Sequence, residues 1–442
     1  MVTIFTAQIS DKLQDKRESS YSPSIEEPFE KVLSKDKGQK DAIMKRQMDL
    51  LKERYDLSKK VSSECTMSGG KPIPVGPTAK LNGVKWDQLG SMTPEEIKLK
   101  GIFPYLPLSH PNHPVGGMIF PQHEIKDLPR LQRFDLDFDL PEYFLPDFPP
   151  AIYLTTHKEL GDVSQGKLVT IDNYYDLFNG LLNPKQLEGL RLLVSQFPQQ
   201  QFNTTADRKT EKPSLGITCF DCHVNGHSSG AIHLVGDIRP QINRNRIETP
   251  TLRGVNIQRL FGSQRALKTV EDFTEFEQRA AYFDGDHLLA AKKGANILER
   301  GSQVQFMAEF EELLDFPPAP KLDIYGRLDP KKATVSELSG EALFFGKAKC
   351  ATCHTPPYYT DNTMHDLQVE RFYKPQLING QYIHAEGTIK TFPLRGIKDS
   401  PPYLHDGRLL TLEDAMEFFN LVQELKLGSQ EKKDIVAFLR QL

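Results

Sequence analysis

The sequence lacks the features that assign a chain to several common classes of protein. No apolar run approaches the length needed to cross a bilayer. Basic residues are not in excess, because the formal net charge is -4, so composition gives no reason to expect binding to nucleic acid. Residues 2–9 are too short for a signal peptide and lack its basic flank.

Cysteine is scarce as well, and its placement is informative. The chain has five cysteines in 442 residues, and four of them form two Cys-x-x-Cys-His patterns. The first pattern is Cys219, Cys222 and His223, and the second is Cys350, Cys353 and His354. Cys65 is left over, and a lone thiol cannot close an internal disulfide.

The Cys-x-x-Cys-His pattern predicts covalent attachment of haem. One helical turn between the cysteines places both thiols where they can bond the two vinyl groups of a haem, and the next residue offers an imidazole to the iron. A four-ligand zinc site would need the cysteine pairs held together, whereas here they lie far apart in the chain. We therefore predict two covalently bound haem c groups, with His223 and His354 as the proximal ligands.

The length predicts two to four domains, and changes in composition divide the chain into four parts. Residues 1–70 form a polar extension with one amphipathic helix at about 41–58, and residues 71–175 form a region rich in proline and aromatics that wraps irregularly over the body. Residues 176–325 and 326–442 are the two predicted haem domains. The expected fold class is mainly α, with two tandem cytochrome c-like haem domains and a proline-rich irregular N-terminal extension.

Helix signals surround both motifs. Asn183 followed by Pro184 predicts a helix start before the first motif. A second helix is predicted from Ser302 through Leu314, ending before Pro317. The segment 317–335 resembles a linker, a short helix precedes the second motif, and the last helix is predicted to begin at Ser429.

An internal repeat follows the motifs. Residues 251–273 resemble residues 393–415, each with a Leu-Arg-Gly triplet near its start and a Glu-Asp pair near its end. The alignment also pairs Arg265 with Arg408. Two related haem domains in tandem account for both copies.

The sixth ligand of each iron separates an electron carrier from an enzyme, because an open or weakly held position admits small molecules. Near the first motif, His233 has enough chain to reach the far face of the haem, with an uninvolved loop histidine as the alternative. We expect His227 to be a hydrogen-bonding or surface residue. Met416 is the candidate for the second motif, with a core residue as the alternative. The irregular region contains His110, His113, His123 and Met118, which are surface-loop residues or further donors near a haem edge.

From about residue 180 to 442 the sequence resembles the bacterial di-haem cytochrome c peroxidases and the MauG-like enzymes. The resemblance rests on both haem motifs, TPTLRG at 249–254, PLRGIKDSPPYLHDGRLLTLEDA at 393–415 and DIVAFLRQL at 434–442. It implies that peroxide reacts at the N-terminal haem and that the C-terminal haem passes electrons in. It also implies a calcium ion between the domains, bound near Glu248 and the carbonyls of Ser400 and Pro402.

The chain departs from that family at three positions. The family's methionine or tyrosine ligand on the C-terminal haem falls on Phe419, whose phenyl ring cannot ligate iron. The tryptophan between the family's haems falls near Gly262. The family's catalytic glutamate has no clear counterpart, and Glu275 and Glu277 are the candidates in the right part of the chain, with a solvated helix face as the alternative.

Three functions remain open on these grounds. The leading hypothesis is an oxidoreductase that reduces peroxide at one haem with electrons relayed through the other. The alternatives are an electron-transfer cytochrome without enzymatic activity and a MauG-like oxidase or oxygenase that acts on another substrate. We expect a periplasmic or otherwise extracytoplasmic location, a small redox protein or other electron donor as partner, and hydrogen peroxide or oxygen as substrate.

The first prediction concerns attachment. Denatured protein is expected to retain two haems per chain, and Cys222→Ala and Cys353→Ala are each expected to impair one attachment, because each removes one thioether. Haem staining of a denaturing gel and acid–acetone extraction measure this. Haem that is released by the extraction would contradict covalent attachment.

Overall fold

The computed structural model describes residues 29–108, 118–131, 140–196, 217–233, 246–283, 300–374, 377–378, 381–382 and 387–442. It is rich in helices and has only small sheets. Within these ranges no helix is long and apolar enough to cross a membrane.

The α-helices are distributed along the whole described chain. In chain order they are α1 Phe29–Arg54, α2 Trp86–Ser91, α3 Pro94–Lys100, α4 Gln122–Asp127, α5 Tyr174–Phe178, α6 Pro184–Leu193, α7 Cys219–Cys222, α8 Val270–Phe283, α9 Arg300–Glu311, α10 Val335–Phe345, α11 Leu412–Val422 and α12 Ser429–Leu439. Short 3-10 turns lie between them, including Val255–Ile257, Cys350–Thr352 and Ile397–Asp399.

The strands form four small antiparallel sheets. They are β1 Val61–Thr66 with β2 Pro72–Pro74, β3 Met118–Ile119 with β4 Ile232–His233 and β5 Ile247–Glu248, β6 Met364–Asp366 with β9 Thr388–Lys390, and β7 Leu377–Ile378 with β8 Gln381–Tyr382. In the three-stranded sheet, β3 of the N-terminal region pairs with β4, which follows the first Cys-x-x-Cys-His motif.

Each haem motif is accompanied by a pair of crossed helices that touch through a glycine. Helix α6 packs on α9, and α10 packs on α12. A Cβ at Gly189 would lie 1.9 Å from the carbonyl oxygen of Phe306, and a Cβ at Gly340 would lie 1.9 Å from that of Asp434. Both crossings therefore require glycine, because any side chain would overlap the backbone of the partner helix.

The repeated segments have the same backbone in both copies. Gly254 donates to the carbonyl of Leu314 at the end of its helix pair, as Gly396 donates to that of Leu442. Further along, Phe261 forms a bridge with Leu267. The second copy has the same bridge, between Tyr403 and Leu409.

This backbone register corrects one pairing of the sequence alignment. The amide of Arg265 donates to the carbonyl of Gly262, whereas in the second copy the matching bond runs from Gly407 to Leu404. Arg265 therefore answers Gly407, and the expected match with Arg408 is wrong. Both positions have positive φ, 54° at Arg265 and 70° at Gly407, so the turn is conserved in shape although the residue types differ.

The N-terminal region packs on both copies. Tyr55, Phe103 and Tyr105 share a core with Met416 and Phe418 of α11. A second core joins apolar residues of the segment 152–178 to α6 and α9, and a third joins Phe120, Ile125 and Leu131 to Cys222. The division of the chain at residues 70, 175 and 325 stays a prediction.

Most helix positions agree with the sequence signals, and the ends differ. Asn183 caps α6 by accepting from the amide of Gln186, and α12 begins at Ser429 as predicted. Helix α1 ends at Arg54, so the predicted continuation to residue 58 is wrong: the amide of Asp56 instead donates to Thr78. Helix α9 ends at Glu311 and not at Leu314, since Leu314 is needed to accept from Gly254.

The second prediction concerns the helix crossings. We expect Gly340→Ala to lower the free energy of unfolding by roughly 1–3 kcal/mol or more, because the new methyl group overlaps the Asp434 carbonyl. Gly301→Ala is the matched control: Gly301 lies in α9 and has no atom within 4 Å of its added Cβ. It is expected to be neutral or slightly stabilising. Equal effects of the two substitutions in denaturant titrations would contradict the crossing.

Candidate functional site

The first Cys-x-x-Cys-His motif lies on one helical turn. Helix α7 consists of Cys219–Cys222, and His223 follows at its end. The Nδ1 of His223 lies 2.9 Å from the carbonyl oxygen of Pro250. Because a carbonyl only accepts, Nδ1 carries the proton and the Nε2 lone pair is the one available to a metal.

The second motif has the same arrangement around its histidine. Cys350–Thr352 forms a 3-10 turn, and the Nδ1 of His354 donates to the carbonyl of Tyr359 at 2.9 Å. Burial lowers the pKa of His354, and the carbonyls of Tyr359 and Phe392 oppose that shift. Phe392 occupies the position in the second copy that Pro250 occupies in the first, but the Nδ1 of His354 is hydrogen-bonded to Tyr359.

These residues fit covalently bound haem. Burial raises the pKa of the Cys222 thiol, with a further contribution from Asp221, and burial raises the pKa of Cys350 to about 12. Two thiols one turn apart, followed by an imidazole with its Nε2 lone pair available, are the groups that thioether attachment and iron ligation require. Among the described residues, the one cluster suited to another metal consists of Cys353, Asp361 and His365. It uses neither Cys350 nor His354 and does not explain the motif.

An ion pair that the sequence did not reveal fixes the first motif. Arg130 donates from both terminal nitrogens to the carboxylate of Asp221, at 2.6 and 2.7 Å, and Asp221 also accepts from the amide of Thr218. Asp221 is 1% exposed. The N-terminal region thus holds the middle of the motif through a two-point contact.

A second buried carboxylate, Asp414 of the second repeat copy, is also held by the N-terminal region, here through neutral donors. Asp414 is fully buried and accepts from the amide and hydroxyl of Thr78, at 2.8 and 2.7 Å, and from the hydroxyl of Tyr105 at 2.9 Å. Burial raises the pKa of Asp414, and these donors oppose the shift. The Glu-Asp pair of the repeat marked this residue, but nothing in the sequence indicated its partners.

The candidate distal ligands fall in different places. Met416 is 4% exposed and packs in the core of the second copy, and Phe419 packs at the border of the same core. His233 lies in β4, where its side chain is not described, and His110 and His113 lie outside the described residues. No distal ligand is assigned by these positions, so His233 and Met416 stay predictions.

Two further histidines, His227 and His123, make defined contacts with neighbouring residues. His227 is buried, and its ring nitrogens lie 2.7 Å from the Thr251 hydroxyl and 3.0 Å from the Asp399 carbonyl oxygen. This is the hydrogen-bonding role that we expected, although the residue is not on the surface. The ring of His123 packs against Phe148, and burial lowers the pKa of His123 to about 4.

The two candidate glutamates lie on α8. Both Glu275 and Glu277 are partly buried. The negative charge of Glu277 contributes to raising the pKa of the Cys222 thiol, and it also acts on Glu311 of α9. The charge of Glu277 thus acts on a cysteine of the first motif. A catalytic role for Glu275 or Glu277 stays a prediction.

The predicted calcium ligands lie close to the second repeat copy. The amide of Glu248 donates to the carbonyl of His405, and the charge of Glu248 contributes to raising the pKa of Tyr403. Burial raises the pKa of Glu248 itself. Ser400 and Pro402 lie in the segment just before Tyr403. Calcium binding by these three residues stays a prediction.

Part of the chain is similar in sequence to characterised proteins. It is 30% identical to the methylamine utilization protein MauG of Methylorubrum extorquens over 155 residues, which is 31% of this chain and 42% of MauG. It is 31% identical to the cytochrome c551 peroxidase of Nitrosomonas europaea over 143 residues, again 31% of this chain and 42% of that protein. The chain thus spans less than half the length of these relatives. The resemblance seen in the sequence is confirmed, and no family model matches the chain.

Solved structures give a weaker comparison. The di-haem peroxidase BthA of Burkholderia thailandensis overlaps with a TM-score of 0.36 at 15% identity, over 68% of this chain and 95% of that one. A MauG-like protein associated with microbial copper homeostasis overlaps with a TM-score of 0.35 at 16% identity, over 51% of this chain and 83% of that one.

The third prediction concerns Glu311, whose side chain accepts from the Thr274 hydroxyl at 2.8 Å. Burial raises the pKa of Glu311 to about 8. The pKa of this carboxyl is near 4.5 in the unfolded chain and about 8 in the folded one. Between these two pH values the folded state holds one more proton than the unfolded state, so the free energy of unfolding falls as the pH rises from 4.5 to 8. We expect Glu311→Gln to raise the free energy of unfolding at pH 8 by roughly 1–3 kcal/mol and to change it little at pH 5.

Denaturant titrations at pH 5 and pH 8 measure this effect. Glu95→Gln, at an exposed position in α3, is the control and is expected to change stability little at either pH. A loss of stability at pH 8 in Glu311→Gln would contradict a protonated, buried Glu311.

Proposed function

We propose that this chain is a di-haem c-type cytochrome that acts as a peroxidase-like oxidoreductase. The observation that carries the proposal is the matched pair of motifs: in each, two cysteines lie on one turn, and the following histidine has its Nδ1 hydrogen-bonded to a backbone carbonyl. Similarity to MauG and to the cytochrome c551 peroxidase supports the same reading.

The residues have distinct roles in this proposal. Cys219 and Cys222 hold one haem and Cys350 and Cys353 the other, with His223 and His354 as proximal ligands. Bound in this way, haem supplies a redox-active iron that exchanges electrons with peroxide or oxygen. The protein contributes the orientation of both imidazoles, which the carbonyls of Pro250 and Tyr359 fix.

Peroxide cleavage also needs a group that moves a proton. Glu277 is our candidate for this group, because its charge acts on the thiol of Cys222 in the first motif. A carboxylate on α8 would accept a proton from one peroxide oxygen and return it to the other. The N-terminal region packs against this side of the motif through Arg130 and the apolar residues Phe120, Ile125 and Leu131.

The remaining assignments follow from this function. The electron donor is a small redox protein or a comparable reductant, and the substrate is hydrogen peroxide or oxygen. The location is periplasmic or otherwise extracytoplasmic, since covalent haem attachment is normally completed after export. Calcium bound near Glu248 belongs to the same proposal.

The fourth prediction concerns Phe419, which stands at the family's ligand position and offers no lone pair to a metal. We expect the C-terminal haem of the ferric wild-type protein to give a high-spin signal and Phe419→Met to convert that signal to low-spin, because the thioether supplies the missing ligand. Loss of peroxide reactivity in the same variant would place the reaction at the C-terminal haem and not at the first motif. Electronic absorption and EPR spectra measure the spin state, and peroxide consumption measures the reactivity.

The neighbouring residue supplies the control. Phe418 is fully buried against Phe103 and Tyr105, so Phe418→Met is expected to reduce stability without changing the spin state. Two low-spin signals in the wild-type protein, unchanged in Phe419→Met, would show that another residue already occupies the position and would favour an electron carrier without peroxidase activity.

A further inference from the structure

A buried lysine lies where the two repeats meet. Lys390, in β9, is 3% exposed, and its amide donates to the carbonyl of Ser263 in the first repeat copy. Its ammonium group donates to the side-chain oxygen of Gln258 at 2.9 Å. The side chain of Gln264 reaches the carbonyl of Thr388 in the same strand, so backbone contacts fix the lysine at the seam.

Two phenylalanine rings enclose the ammonium group. The Nζ of Lys390 lies 5.7 Å from the ring centre of Phe261 and 5.3 Å from that of Phe392. Phe261 belongs to the core that contains Cys219, and the carbonyl of Phe392 acts on His354. Lys390 therefore lies between the surroundings of the first motif and those of the second.

Among the residues that the structure describes, no carboxylate forms an ion pair with Lys390. The charge that acts on its pKa is the positive charge of Arg265. Burial, with the contribution of Arg265, lowers the pKa of Lys390 to about 8. The Nε of Arg265 is likewise buried without a hydrogen-bond partner among the described residues.

Two adjacent cations without an anion are costly, because a buried charge without a partner loses several kcal/mol of hydration, on the order of the cost of breaking a buried ion pair. The ring faces offset only part of this, roughly 1–2 kcal/mol each when desolvated. Native proteins retain such a charge where an anion completes the site, and Gln258 occupies only one of the three ammonium hydrogens.

We propose that Lys390 and Arg265 form a carboxylate-binding site at the seam between the repeats, and that its ligand is a propionate group of one of the two haems. The inference rests on the proposed function, since it requires bound haem. The position excludes a polymer or peptide ligand, because the lysine is 3% exposed and lies between two protein cores. A propionate belongs to a haem that is already inside the protein, so its carboxylate needs no entry path from the solvent.

The experiment uses the protein with both haems attached. We expect Lys390→Met to shift the propionate bending mode in the resonance Raman spectrum to lower frequency, because the mode follows the strength of the hydrogen bond to the carboxylate. Lys390→Arg is expected to restore the wild-type frequency in large part, since it keeps the charge and the donors. Spectra of the half-reduced protein separate the modes of the two haems and identify which propionate is bound.

Lys432 provides the matched control. It is 7% exposed, but it donates to the carboxylate of Glu417 at 2.6 Å, so its charge already has a partner within the chain. Lys432→Met is expected to leave the propionate mode unchanged. An unchanged mode in Lys390→Met, or an equal shift in both lysine variants, would overturn the proposal.

Failure of this proposal is distinguishable from failure of the proposed function. Protein that retains two haems after denaturation and shows the same propionate mode in the wild type and Lys390→Met would contradict the seam site alone. Protein that releases its haem would contradict both.

Discussion

The architecture depends on one buried ion pair at the seam. Arg253 contacts the carboxylate of Asp399 at 3.2 Å, with both side chains 5% exposed, and it also donates to the carbonyl of Ala151 at 2.6 Å. Asp399 in turn accepts from the amide of Ser68, and its carbonyl oxygen bonds to His227. The first repeat copy, the second copy and two segments of the N-terminal region therefore meet at one pair of charges. Removal of either partner would leave the other charge buried and unpaired, at a cost of roughly 3–5 kcal/mol, so the three parts are coupled in stability.

Residues at equivalent positions of the two copies make different contacts, although the backbone is the same in both. Arg395, the counterpart of Arg253, donates to the carbonyls of Leu442 and Pro317 and so fixes the end of α12 and the segment between the repeats. The position equivalent to Asp399 in the first copy is Ile257, which has no charge to offer. The asymmetry has a physical reason. An ion pair between the copies needs one cation and one anion, whereas two arginines that face each other would repel. The two copies share a backbone, and the different side chains at these positions allow them to pack on each other.

The features that could be predicted from the sequence are those that depend on neighbouring residues in the chain. The cap at Asn183, the start of α12 at Ser429 and the turn that carries Cys219 each follow from a few neighbouring residues, and the structure confirms them. The sequence did not predict the contact of Arg130 with Asp221, because the two residues are 91 positions apart and neither belongs to a periodic pattern. The partners of Asp414 were missed for the same reason. The pairing of Arg265 with Arg408 was wrong for a different reason. The alignment matched two arginines, whereas the two turns share a left-handed backbone position that is arginine in the first copy and glycine in the second.

The resemblance implied a tryptophan near Gly262, and the structure has a different arrangement there. Gly262 has φ 78°, a backbone that favours glycine, and the rings of the nearby Phe261 and of Phe392 lie around the ammonium group of Lys390. A positive charge in a region of low dielectric stabilises an electron placed on either side of it and opposes the removal of one. The phenyl rings of Phe261 and Phe392 have no acidic proton, so they cannot offset this positive charge by ionising. In the proposed di-haem protein the charge at this seam would favour the reduced form of both haems, and the proposed carboxylate would moderate the effect by balancing part of the charge on Lys390 and Arg265.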